Sequence, residues 1–264
     1  MHFASNPQDG VALAWEEHGN PEGEPLLLVH GSALSKAVWR GMGYLRALGP
    51  KYRLLTMDLR GHGRSGKPRQ PEDYRMPLVM ADVLAVLDAA GVASAHFLGY
   101  SFGARIGFSL GVTAPERMRS FISAGGSYRI STGSIGQLFF PEYDAALAQR
   151  GMAGFIDGWE HRLGHPVDPV TRMAFMANDP VALRAYFAQT ERGEGVPEQR
   201  LAEFQIPSLL LAGSLDAQRL DDSRYAVSLM PHAELLELPG RDHADTLFPA
   251  GPVLAVIEPF LDSQ

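Results

Sequence analysis

The run Pro25-Leu26-Leu27-Leu28-Val29-His30 constrains this chain more than any other: it is nearly all apolar and ends against Gly31. A strand with one wet face alternates polar and apolar residues. One that does not alternate is buried on both faces, the condition of a strand inside a parallel sheet. Parallel strands need crossovers, so helices must recur between them. Tyr52–Met57 reads as the next strand. Met76–Ala90 reads as a helix, with Leu78, Val79, Asp82, Val83, Val86, Leu87 and Ala90 spaced by three and four and Gly91 where a C-cap belongs. Ala95–Tyr100 then reads as strand, Phe102–Thr113 as helix and Ser120–Ala124 as strand, while Val11–His18 suits an outer antiparallel strand. This alternation predicts an α/β fold with helices on both faces of a parallel sheet.

The rhythm breaks after Ala124. Between Gly126 and Gly195 no strand is apparent, but Asp168-Pro169 and Asp179-Pro180 each put a capping acid before a proline at the first helical position. Aromatic residues crowd this stretch. The pattern resumes with Ile206–Ala212 as strand, Gln218–Met230 as helix, Ala233–Leu238 as strand and Asp245–Leu261 as a closing helix. The expected organisation is a core of residues 1–125 and 196–264 interrupted by a helical cap, 126–195.

The chain has 264 residues, 23 Lys+Arg against 30 Asp+Glu, a formal net charge of −7 and no cysteine. That balance argues against nucleic acid or an anionic membrane as a main partner. Absence of cysteine excludes disulfides, thiol nucleophiles and iron–sulfur clusters. The first residues lack a basic segment leading into an apolar one, and no uncharged apolar run reaches the ~18–20 residues of a span. A cytoplasmic protein is the expectation. Oligomeric state is not legible.

Gly99-Tyr100-Ser101-Phe102-Gly103 fits G-x-S-x-G and lies between an apolar strand and a helix beginning at Phe102. A serine on so sharp a turn projects its hydroxyl over the sheet's carboxyl edge; the competing reading is an ordinary N-cap serine. A serine hydroxyl needs a base, and the base an orienting acid. His243 follows the last strand, whereas His232 precedes it and belongs at the opposite edge of the sheet. Asp216 leaves the strand ending at Ala212, on the His243 edge. Asp221 and Asp222 are alternatives further along a helix, and Asp242 adjoins the histidine too closely to face its ring. Donors for a tetrahedral oxyanion are expected from the backbone N–H groups of Phe102 and Ser32, with Gly31 easing the turn. His30 reads as structural, bonding loop backbone.

Two motifs are weighed as decoys. Gly61–Pro68 contains G-x-G-x-x-G and most of a phosphate-binding loop, but Pro68 replaces the hydroxyl residue and Pro71 follows, so no helix N-terminus can form there to hold phosphate. The segment reads instead as a turn supporting the site. His161 and His165 have the spacing of a metal pair, but Gly164 and Pro166 spoil the helix, so no metal is expected.

Taken together, His30-Gly31, Asp58-Leu59-Arg60-Gly61-His62-Gly63-Arg64-Ser65, the Ser101 pentapeptide, Gly213-Ser214-Leu215-Asp216 and His243 resemble the α/β-hydrolase superfamily over nearly the whole chain. The Asp58–Ser65 segment is similar to a turn of its capped esterase and lactonase branch. The resemblance implies a mostly parallel eight-stranded sheet with a helical cap after strand six. It implies a cofactor-free serine hydrolase of a small-molecule carboxylic ester or lactone, with Ser101, Asp216 and His243 catalytic. Ser101 stands where dehalogenases and epoxide hydrolases of this fold have aspartate. Two departures stand out: Phe102-Gly103-Ala104 follows the serine in place of Met-Gly-Gly, with Phe102 expected to narrow the acyl side, and Arg241-Asp242 precedes the histidine, with charges expected to shape the entrance. From the cap, Phe140, Phe155 and Trp159 are candidates for substrate contact. Alternative functions are carbon–carbon bond hydrolysis of a diketone-like substrate, a haloperoxidase or perhydrolase side reaction, or a ligand receptor with little turnover.

Overall fold

The computed structural model describes residues 1–264. Its eight strands are β1 (His2–Ser5), β2 (Ala12–Gly19), β3 (Pro25–Val29), β4 (Arg53–Met57), β5 (Ala95–Tyr100), β6 (Met118–Ala124), β7 (Ser208–Gly213) and β8 (Ala233–Leu238). They form one sheet in the order β1-β2-β4-β3-β5-β6-β7-β8. Pairs β1/β2 and β2/β4 are antiparallel and all the others parallel. The unbroken apolar run behaves as its composition requires: Leu26, Leu27, Leu28 and Val29 are fully buried. Alternate residues serve opposite faces, as the pleat dictates. Leu27, Val29, Phe97, Phe121 and Leu210 belong to one core, and Leu26, Leu28, Leu98, Ile122 and Leu209 to the other.

Helices cover both faces. α1 (Ala37–Gly41) and α2 (Tyr44–Leu48) contribute Trp39, Tyr44 and Leu48 to the second core, while α3 (Met76–Ala89) and α4 (Phe102–Thr113) contribute Val79, Val83 and Ile106 to the first. Between β6 and β7 come α5 (Ser134–Leu138), α6 (Tyr143–Leu163), α7 (Pro169–Met176), α8 (Pro180–Arg192) and α9 (Glu198–Leu201), with no strand. The Asp-Pro signals act as their chemistry suggests. Asp168 Oδ1 accepts from the Val170 and Thr171 N–H groups, and Asp179 Oδ1 from those of Val181 and Ala182. After β7 and β8 come α10 (Ala217–Leu229) and α11 (Ala250–Asp262). No helix is long and apolar enough to cross a membrane.

Two details differ from the sequence reading. β1 has only Ala4 buried, so four residues carried no periodic signal. The closing helix starts at Ala250 rather than Asp245. Pro249 disfavours helical backbone at Phe248, and the preceding residues turn instead, with Asp242 Oδ1 accepting from the Ala244 and Asp245 N–H groups.

Candidate active site

Ser101 occupies the turn from β5 into α4 with φ 54° and ψ −112°. A non-glycine residue there is strained by about 1–3 kcal/mol, held only because its surroundings over-determine it. The two flanking glycines make the turn possible. A Cβ on Gly103 would lie 2.2 Å from the Val29 carbonyl oxygen, and one on Gly99 2.5 Å from the Ala104 nitrogen.

Three separate loops then meet. Ser101 Oγ is 2.9 Å from His243 Nε2, and His243 Nδ1 is 2.7 Å from Asp216 Oδ2. Burial pushes the Asp216 carboxyl up, but the hydrogen bond and charge of His243, helped by Arg219, outweigh it and hold the carboxyl below its ordinary value. The other acids are engaged elsewhere: Asp222 accepts from Ser127 Oγ at 2.6 Å, Asp221 pairs with Arg224, and Asp242 caps its own turn. His232 lies at the far edge, its carbonyl accepting from the Ser208 N–H where β7 begins.

Tyr100 fixes the histidine loop. Its hydroxyl donates to the His243 carbonyl at 2.8 Å and its ring stacks on the imidazole at 5.7 Å. Arg241 corrects an expectation. It is buried and donates to the carbonyls of Asp245, Thr246 and Pro249, so it braces the loop from inside and does not shape an entrance.

The loop after β3 is supported from below by two buried histidines. His30 Nδ1 donates to the Gly31 carbonyl at 2.7 Å and its Nε2 accepts from the Leu59 N–H at 3.1 Å. His62 Nε2 accepts from the Ala33 N–H at 3.0 Å, and its Nδ1 faces the Arg60 carbonyl at 2.9 Å. Burial, with the field of His30 adding, pushes His62 down to about 3, so both of its nitrogens serve the neutral ring. Asp58 accepts from the Lys36 and Arg64 N–H groups and pairs with Lys36 Nζ at 2.9 Å, locking the 58–65 turn beneath that loop. His165 Nδ1 donates to its neighbour's carbonyl, and no group of three or more His, Cys, Asp or Glu is placed to hold a metal ion.

A narrow cavity of about 30 Å³ opens beside Ser101, bordered by Ser32, Phe102, Arg105, Leu138, Thr190 and Arg219 among others. Ser32 and Phe102 thus border the same cavity as Ser101, and first-turn N–H groups such as that of Phe102 lack intrahelical partners. The three aromatics proposed from the inserted segment do not border this cavity. Phe155 and Phe140 are buried among the inserted helices, and Trp159 packs on Phe139 at 5.1 Å and Phe175 at 4.9 Å. Apolar bulk in a helical segment is consumed first by that segment's own packing. The aromatic that does reach the loop after β3 is Tyr186 of α8, whose hydroxyl lies 2.5 Å from Ser32 Oγ. Its ring meets His62 and Phe102 edge-on. Aromatic content pointed to the segment but not to this member of it.

A family model described as the alpha/beta hydrolase fold matches residues 24–149. The chain is 30% identical over 213 residues to a protein of Azorhizobium caulinodans named "Putative carbamate hydrolase RutD", covering 78% of this chain and 77% of that one. A solved hydrolase of Pseudomonas aeruginosa superposes with a TM-score of 0.82 at 28% identity, covering 98% of this chain and 97% of that one. The enol-lactonase of Burkholderia xenovorans superposes equally well, TM-score 0.82, at 20% identity over 99% and 100% of the two chains. By fold and by kinship, the chain belongs to the α/β-hydrolase superfamily.

Proposed function

We propose that this protein is a cofactor-free serine hydrolase that cleaves a carboxylic ester or lactone through an acyl-enzyme. The observation that carries the reading is the continuous relay from Ser101 Oγ through His243 to Asp216, at 2.9 and 2.7 Å. Relatives named for hydrolase chemistry support the class.

In the reaction, His243 Nε2 takes the Ser101 proton as Oγ bonds to the substrate carbonyl carbon. The carbonyl oxygen becomes the oxyanion, received by the Ser32 and Phe102 N–H groups. Asp216 holds the imidazole with Nδ1 protonated and stabilises the imidazolium. Collapse breaks the bond to the leaving alcohol, which departs with the proton from His243. Water, deprotonated by the same ring, then attacks the acyl-serine, releasing the acid and returning the proton to Ser101. Each oxyanion donor of typical strength lowers the barrier by ~3–4 kcal/mol. Residues 126–195 act as a cap over the core formed by 1–125 and 196–264, and contribute the outer wall of the pocket.

The test is a fluorophosphonate probe with mapping of the labelled peptide, alongside p-nitrophenyl acetate turnover. Label on Ser101 and a burst of nitrophenol are expected. Normal turnover by Ser101→Ala refutes the mechanism.

A further inference from the structure

Arg105 lies one turn along α4 from Ser101, and its backbone N–H donates to the Ser101 carbonyl at 3.1 Å. Residues four apart on a helix share a face, and both border the same cavity. The Arg105 Nε and Nη1 atoms are fully buried and have no hydrogen-bond partner.

Nothing nearby repairs this. The guanidinium carbon lies 5.8 Å from the Phe102 ring centroid, a contact that orients the group but leaves its N–H donors unused. Asp222, an acid whose field reaches it, spends its oxygens on Ser127 and Arg129. The Tyr186 hydroxyl is taken by Ser32. Arg219 borders the same cavity and adds a second positive charge. Burial pushes Arg105 down to about 10, the direction expected of a cation that lacks a counter-charge. Arg105 as a whole is half-buried, but a cation with two buried, unpartnered donors and no counter-charge is unfavourable where it stands, and beside Ser101 it marks a site completed by an anionic ligand.

We propose that Arg105 receives a free carboxylate of the substrate, so that the enzyme selects esters or lactones whose acyl part bears a second carboxylate near the scissile carbonyl. This deepens the hydrolase reading and rests on it. Ser101 and Arg105 leave the chain about one helical turn, ~5.4 Å, apart, so the carboxylate is expected close to the scissile carbonyl, and a succinate half-ester, with two carbons between its carboxyl groups, is the probe. The guanidinium fork takes the two carboxylate oxygens together, and the hydroxyls of Ser134 and Thr190, on the same cavity wall, are available to the remaining lone pairs.

The experiment compares monoethyl succinate with ethyl levulinate, in which a methyl ketone replaces the carboxylate, by ethanol release. The wild type should favour the half-ester in kcat/KM by on the order of 30-fold, mostly through KM, the effect of a charge-assisted pair of ordinary strength. Arg105→Met should bring the ratio near one, and Arg105→Lys should retain part of it. A wild-type ratio of one or less, or a ratio unmoved in Arg105→Met, overturns the proposal.

A second arm does not depend on turnover. Succinate should raise the Tm of Ser101→Ala protein by about 3 °C, and the rise should vanish when Arg105→Met is added. A shift with no cleavage of either ester by the wild type retains the anion site and discards the hydrolase reading. Cleavage without preference, and without a shift, does the reverse.

Discussion

The candidate site is walled on two sides by different forces. On the sheet side, the loops after β3, β4, β5, β7 and β8 are fixed atom to atom by hydrogen bonds such as His62 to Ala33, Arg64 to Asp58 and Tyr100 to His243. On the inserted side, order comes from rings: Phe139, Phe155, Trp159, Phe175 and Phe187 pack with centroids 4.9–6.5 Å apart. Two bonds join the sides at the loop after β3, Tyr186 to Ser32 and Asn178 Nδ2 to the Ala33 carbonyl at 2.8 Å. Directional bonds fix the distance and angle between the atoms they join. Ring packing tolerates repacking at nearly constant volume. Alignment therefore belongs to the first side, and stability and pocket shape to the second.

That contrast can be broken by substitution. Asp216→Asn should lower kcat on a short-chain ester by about 10⁴-fold, because the imidazole loses its correct tautomer, with little change in Tm. Asp222→Asn should not share this loss, and equal losses would defeat the assignment. Phe155→Ala, on the ring-packed side, should reverse the balance, costing ~3–5 kcal/mol in urea unfolding with a far smaller change in kcat. Between these lies pH. His62 stays neutral in the fold down to about 3, while in the unfolded chain it protonates near pH 6.5. Its contribution is thus whole above about pH 6.5 and is lost as pH falls towards 3, at up to about 1.4 kcal/mol per unit. Unfolding midpoints measured across that window should decline less steeply in His62→Gln. The smallest effect is expected of Tyr186→Phe, which removes one hydroxyl from the join between the sides: about 1 kcal/mol of stability and a several-fold change in KM.

The same division explains what could be read from the sequence. Ser101 and Asp216 each follow a strand that an apolar run betrays, His243 follows one broken by two glutamates, Ala233–Leu238, and a residue beyond a strand's carboxyl end has its place in space set by the sheet. Glycines forced by close approach, as at Gly99 and Gly103, mark such turns in the chain itself. Phe140, Phe155 and Trp159 had no such anchor, since an amphipathic helix shows that a ring is buried but not against what. Arg105 was overlooked although its signal was present: it is the only charged residue in the otherwise apolar helix Phe102–Thr113. Arg241 was misjudged because its inward turn answers backbone carbonyls freed by the late start of α11, which local pattern does not reveal.

The backbone angles at Ser101 also limit how this enzyme can be altered, in the laboratory or by descent. With φ at 54° and ψ at −112°, a branched Cβ collides with its own main chain. Threonine, though chemically the nearest hydroxyl, is therefore barred from the position, whereas unbranched cysteine or aspartate fits. Substitutions at this corner must skip the most conservative replacement.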